Sequence, residues 1–379
     1  MLTYILFLFA VICSIFSQHP LITDSPIAPL LNYSWGLPMG YTFLQNFGRT
    51  YNESLIRRYI YFGLSITLYI QLRVFAETQG FSLDMDVYYI LISLLIAYTS
   101  YLFWRSHSSE AFMSILCMCL LIAVPVIAYA IYVNFIAHVS LTSLEYAYGD
   151  KNSIATIILA TLVLCYYNFN PKNKYIKNIY WIVAAGLIVM MFLLKSRATL
   201  LSFFAILFWI VIKHPDKKFR LYLAAAIVTT VIFIITNEHY YTVIVDNILL
   251  ANRNMGNLNS LSSGRWYQIE RGLEIFMDNP LFGAGKTYVD CFPVAMLSSF
   301  GLVGFTIIFV FLFSIGKTIC CLDKSNPIYC STFFLFFIYV INCFFEAHTP
   351  FGPGAKCFLV WMMFGFSSAE LSMSYDKED

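Results

Sequence analysis

The chain has 379 residues, of which 60% are hydrophobic and only 12% charged, and its mean hydropathy is +0.72. Soluble domains lie nearer ~45–50% apolar and ~25% charged, so a soluble globular enzyme, a disordered chain and a nucleic-acid binder are all excluded. The 23 basic and 21 acidic residues leave a net charge of +2, which points to no polyelectrolyte partner.

Runs of about 20 apolar residues, the length that crosses a bilayer, predict an all-α polytopic membrane protein with about 12 transmembrane helices. In chain order they are 2–17, 26–47, 57–76, 86–104, 112–137, 153–169, 178–194, 197–213, 219–236, 293–316, 327–345 and 356–371. The first has the length of a signal peptide, but it lacks a basic leader and a small-residue cleavage site, so it reads as a helix. The second is interrupted by Pro29, Gly36, Pro38 and Gly40, which predicts a broken or partly inserted segment. Strand-length alternation is absent, which argues against a β-barrel.

Lys and Arg bias orients the spans. Fourteen of the 23 cations fall on the side of the N-terminus, anchored by Lys213, Lys217, Lys218 and Arg220. That side is predicted to be cytoplasmic, with both termini on it. The other side holds Arg73, Lys151, Lys195, Arg197, Arg253, Arg265, Arg271, Lys286 and Lys356. Of the ten cysteines, all but Cys291 lie within or at the ends of apolar runs, behaving as small hydrophobes. No zinc-type spacing occurs, and nothing implies a metal or another cofactor.

The chain is expected to form a single membrane domain, 1–379, with one long outer loop, 237–292, between the ninth and tenth spans. A loop of that length is usually functional. Within it Trp266, Ile269, Leu273 and Phe276 recur at helical spacing, predicting a short amphipathic helix at the interface. Ser263 is placed to cap its start, and Asp278-Asn279-Pro280 to end it. A second polar anomaly is Lys195-Ser196-Arg197, wedged between two apolar runs. Its cations either snorkel to headgroups or hold a phosphate, for which a guanidinium offers a bidentate fork.

Four passages resemble the O-antigen ligase and polymerase superfamily of bacterial inner membranes. They are Asp150-Lys151-Asn152-Ser153-Ile154-Ala155, Leu194-Lys195-Ser196-Arg197-Ala198-Thr199-Leu200-Leu201, and Ser263-Gly264-Arg265-Trp266 followed by Asn279-Pro280-Leu281-Phe282-Gly283-Ala284-Gly285. The fourth is Ser298-Ser299-Phe300-Gly301-Leu302-Val303-Gly304-Phe305. The N-terminal third matches in hydropathy alone. The resemblance implies a helical, metal-independent membrane glycosyltransferase of the inner membrane, with a periplasmic loop over its site and a glycan on undecaprenyl pyrophosphate as donor. Ligases pass that glycan to lipid A-core, and polymerases pass it to another lipid-linked repeat unit. In ligases a histidine followed by a small polar residue precedes the Gly-x-x-Gly by nine residues. Counting back from Gly301 lands instead on Asp290-Cys291, which favours a polymerase.

Glycosyl transfer needs a base for the acceptor hydroxyl and compensation for the departing pyrophosphate. Asp290 is a candidate base, or alternatively a cap for the helix that follows. Arg265 and Arg197 are the candidate diphosphate ligands, with Lys195, Arg253, Arg271 and Lys286 behind them. Glu346 and His348, in the last outer loop, offer an alternative base or are ordinary loop polars. Asp84 and Asp86 spell a short carboxylate pair. Trp266, with Tyr240, Tyr241 and Tyr267, fits sugar stacking or interfacial anchoring. Expected partners are the lipid-linked oligosaccharide, membrane lipid and a chain-length regulator protein. The rival readings are an O-antigen ligase and, from another class, a lipid-linked oligosaccharide flippase or transporter. A transporter should show internal repeats of span and motif, and none is evident.

Overall fold

The computed structural model describes residues 2–46, 54–78, 85–139, 150–213, 216–249, 256, 258–262, 264–285, 287–352 and 354–376. Among them the structure is helical, with no strand. The helices are α1 (Leu2–Phe16), α2 (Ile27–Tyr33), α3 (Gly36–Asn46), α4 (Ser54–Thr78), α5 (Met85–His107), α6 (Glu110–Ile131), α7 (Lys151–Asn168), α8 (Lys174–Leu193), α9 (Arg197–Lys213) and α10 (Lys217–Thr236). Then come α11 (Glu238–Tyr241), α12 (Leu258–Leu261), α13 (Arg265–Asp278), α14 (Phe292–Cys320), α15 (Pro327–Asn342) and α16 (Ala355–Tyr375).

Among the described residues, seven helices are long and apolar enough to cross a membrane: those of α4, α5, α6, α8, α10, α14 and α16. Three shorter apolar helices, α1, α9 and α15, accompany them. The expectation of about twelve equivalent spans therefore resolves into long and short elements. Its second member, 26–47, is the two helices α2 and α3. The reason lies in the prolines, because Pro29 and Pro38 each fall in the first turn of their own helix. There a missing N–H costs nothing, whereas Pro38 would break a continuous span. α16 is the central helix, buried along nearly its whole length and packed most closely on α5. α10 stands at the periphery with no buried residue.

Helix α14 is not continuous. Gly301 sits at φ 65° and ψ −169° inside it, which releases the backbone groups on either side from their helical partners. The loop after α13 takes them up. Ala284 N donates to Ser298 O at 2.8 Å and Gly285 N to Ser299 O at 3.1 Å, while Leu302 N donates to Pro280 O at 2.9 Å and Val303 N to Leu281 O at 3.2 Å. Phe300 O accepts from the Tyr69 hydroxyl at 2.9 Å. The loop's own carbonyls are held by Arg73, whose Nε and Nη2 reach Phe282 O at 3.1 Å and Gly283 O at 2.6 Å. Backbone meets backbone so closely that a Cβ on Gly283 would stand 2.4 Å from the Ser299 carbonyl, and one on Gly301 2.4 Å from that of Leu281. The two glycine motifs of the sequence are thus the two halves of one clasp.

The expected amphipathic helix is α13. Ser263 lies outside the described residues, and the capping bonds come from elsewhere: Ser262 Oγ accepts from Trp266 N at 2.9 Å and Asn259 Oδ1 from Tyr267 N at 2.6 Å. Gly283→Ala should cost at least about 2 kcal/mol, from left-handed strain at φ 70° plus the backbone clash. Gly186→Ala, in α8 with open space around it, should be neutral. Thermal midpoints of the two detergent-solubilised variants check the contrast, and equal midpoints would contradict the clasp.

Candidate functional site

At one end of the bundle a cavity of about 600 Å³ opens between the end of α1, α2, the starts of α5, α7, α13 and α16, and the residues 288, 290, 345–348 and 352. Its charges are paired across elements distant in sequence. Arg265, the first residue of α13, holds Nε 3.7 Å from Asp290 Oδ2, a Coulombic contact too long for a hydrogen bond. The Tyr288 hydroxyl donates to Asp290 Oδ1 at 2.7 Å. That bond, and burial after it, push the Tyr288 pKa up to about 12, so the hydroxyl remains a donor through neutral pH. Gln268, one turn beyond Arg265, accepts from Asp290 N at 2.9 Å. One face of α13 therefore grips Asp290 by both its backbone and its carboxylate.

Two further pairs complete the charged pole. His348 Nδ1 lies 3.1 Å from Asp86 Oδ1 at the start of α5. With the proton on that nitrogen, Nε2 is left as the acceptor, and it has no protein partner among the described residues. Lys356, in the first turn of α16, pairs with Glu346 Oε2, and Thr349 Oγ1 donates to the same oxygen at 2.8 Å. The loop carrying Glu346 and His348 is held from below by Trp361 Nε1, which donates to Pro350 O at 3.0 Å. α7 and α16 both begin at this end without a side-chain cap from their N-cap residues, Asp150 and Gly354. Uncapped helix N-termini carry partial positive charge and free N–H donors.

A chain of buried hydroxyls runs from the cavity into the core. Asn342 Nδ2 donates to Thr156 Oγ1 at 3.2 Å, Thr156 Oγ1 lies 3.3 Å from Thr199 Oγ1, and Thr199 lies 3.0 Å from Ser196 Oγ, which donates to Asn152 Oδ1 at 2.9 Å. An amide N–H can only donate and an amide oxygen only accept. The direction of every bond between these two ends is therefore fixed, and Asn152, on the cavity wall, keeps its NH2 donors for the cavity.

The structure brings together Asp290, Arg265, Glu346 and His348 from among the residues picked out by sequence. Asp86 joins them through His348, while Asp84 lies outside the described residues. Asp290 does not cap α14, whose N-cap is Cys291 with no side-chain cap bond. Arg197, Lys195, Arg271 and Trp266 are not on the cavity wall. Lys195 occupies a left-handed turn at φ 52°, and burial lowers its pKa. Trp266 and Arg271 are exposed on α13, with Trp266 Nε1 donating to Glu270 at 2.6 Å. Of the Lys195-Ser196-Arg197 motif, it is the buried Ser196 that reaches the site, through Asn152. Arg253 and Lys286 lie outside the described residues.

Sequence reasoning missed Lys356 and Tyr288 as site residues, along with the α1–α2 wall. The one available signal was that Lys356 is a cation on the minority side, two residues after the sequence Gly352-Pro353-Gly354. Among the described residues, no group of three or more His, Cys, Asp or Glu is placed to hold a metal ion.

No curated protein matches the chain. Residues 182–309, which run from within α8 through α13 and the clasp into the second half of α14, match the family model described as O-antigen ligase. The seven long apolar helices make it a multi-pass membrane protein, and its stretch 182–309 is similar to the O-antigen ligase family.

Proposed function

We propose that the protein is a surface-polysaccharide polymerase, joining undecaprenyl-pyrophosphate-linked repeat units at the periplasmic face of the inner membrane. The observation that carries this reading is the cavity. It sets two cations, Arg265 and Lys356, and two open helix N-termini beside an imidazole with a free ring nitrogen. Arg265 keeps its terminal amino groups for phosphate oxygens while Nε faces Asp290. Lys356 adds a point charge to the same anion.

In the reaction, an acceptor sugar hydroxyl oxygen bonds to the anomeric carbon of the donor glycan. The bond from that carbon to the phosphate oxygen breaks, and undecaprenyl pyrophosphate leaves with the electron pair. The hydroxyl proton passes to a base. Asp290 is the candidate by position, yet both of its oxygens are engaged, by Tyr288 and Arg265. We assign the base to His348, oriented by Asp86 in the manner of a carboxylate–imidazole dyad, and give Asp290 the task of positioning Arg265. The imidazole thus comes from the loop after α15, and the place where ligases carry theirs holds Asp290 and the buried Cys291. That relocation supports a polymerase over a ligase. Fourteen of the 23 cations at the other end of the spans support a cytoplasmic placement of both termini. A chain-length regulator remains the expected protein partner.

In a strain lacking the protein, the surface polysaccharide resolved on a gel should show core carrying a single repeat unit. Core with none would indicate the ligase, and an intact ladder would sink both enzyme readings. Arg265→Ala should abolish complementation while the protein still accumulates in the membrane. In a polymerisation assay His348→Ala should lower the rate by about 10²–10⁴-fold, the usual worth of a general base, and Asp290→Asn by much less. The opposite ranking would return the base to Asp290.

A further inference from the structure

The cavity also carries two neutral side-chain amides. Ser17 Oγ, just past the end of α1, shares its one proton between Ser14 O at 2.7 Å and Asn32 Oδ1 of α2 at 3.1 Å, and Ser196 Oγ donates to Asn152 Oδ1 at 2.9 Å. Each asparagine is thereby tethered by its oxygen to a serine, and neither Nδ2 has a protein partner among the described residues. Both asparagines line the cavity, together with Tyr33 and Tyr89. Amide donors set among aromatic rings suit a ligand that is rich in hydroxyl oxygens and has apolar C–H faces.

The carboxylate of Asp150, two residues from Asn152, lines the same wall, while Arg265 and Lys356 each stand beside a carboxylate of their own. The tethered Asn32 and its tyrosine neighbours also lie outside residues 182–309, the part that matches the family model.

We propose that the wall formed by Asn32, Asn152, Tyr33 and Tyr89 is a saccharide subsite, binding an uncharged sugar ring of the repeat unit while the charged pole holds the diphosphate. This rests on the glycosyl-transfer reading of the same cavity and adds to it that sugar recognition and anion recognition are separable by mutation.

The test uses the purified full chain in detergent micelles and two probes. One is the lipid-free repeat-unit oligosaccharide released by mild acid from the source strain's own surface polysaccharide, and the other is citronellyl pyrophosphate. Saturation-transfer NMR for the first and displacement titration for the second report binding. Asn32→Leu, close to isosteric, and Asn32→Ala should each weaken the oligosaccharide by about five-fold, the worth of one neutral hydrogen bond, and leave the pyrophosphate probe unchanged. Arg265→Ala should do the reverse. If both Asn32 variants bind the oligosaccharide as the wild type does, or lose both probes together, the subsite is overturned while the enzyme reading stands. A wild-type protein that binds neither probe removes the enzyme reading and the subsite with it.

Discussion

Inside a bilayer there is no water to accept a hydrogen bond, so every backbone N–H and C=O released by a helix break must be paired by protein. The break at Gly301 in α14 is where this constraint presses hardest. Four backbone bonds from the loop 280–285, with Tyr69 and Arg73 of α4, take up the released groups. The rest of the site hangs on that arrangement. It docks α13 against α14, and so it sets Arg265 and Gln268 on the two ends of Asp290. A continuous α14 would satisfy its own backbone and leave the loop carbonyls of Phe282 and Gly283 with nothing to position them.

The charges of the cavity are arranged as acid–base pairs and not as an open basic patch. Lys356 with Glu346 and Arg265 with Asp290 each neutralise a group that would be expensive to hold alone near hydrocarbon. Such pairing has a chemical use. An arriving diphosphate exchanges one anionic partner for another, and the cation need not be desolvated afresh.

How much of this was legible in sequence depended on whether the information was local. Helix positions were, because hydrophobic length and proline placement act within a few residues. The expected spans 57–76, 86–104 and 219–236 fall inside α4, α5 and α10, while 26–47 divided where Pro38 required a new first turn. Asp290, Glu346 and His348 were legible as scarce polar residues near the ends of apolar runs, and Arg265 as a cation in the long outer loop. Their partners were not, because the contact of His348 with Asp86 spans 262 residues and nothing near either residue announces it. Arg197 drew attention through its charge, and in that motif the buried neighbour Ser196 is connected to the cavity through Asn152. The neutral wall of Asn32 and Tyr33 carried no charge to mark it, and hydropathy alone treats such residues as interruptions.

The hydroxyl chain from Asn342 to Asn152 has one more consequence. Its two amide ends admit a single sense of donation, so the four bonds form a one-way series of aligned dipoles, each polarising the next. Asn152 sits at the terminus that receives this polarisation, and its NH2 group is a more acidic donor than an isolated carboxamide would be. Thr156 and Thr199, deep between α7 and α9, therefore tune the strength of a hydrogen bond made at the cavity surface. They do so through electronic induction along the series, with no movement of the helices that carry them.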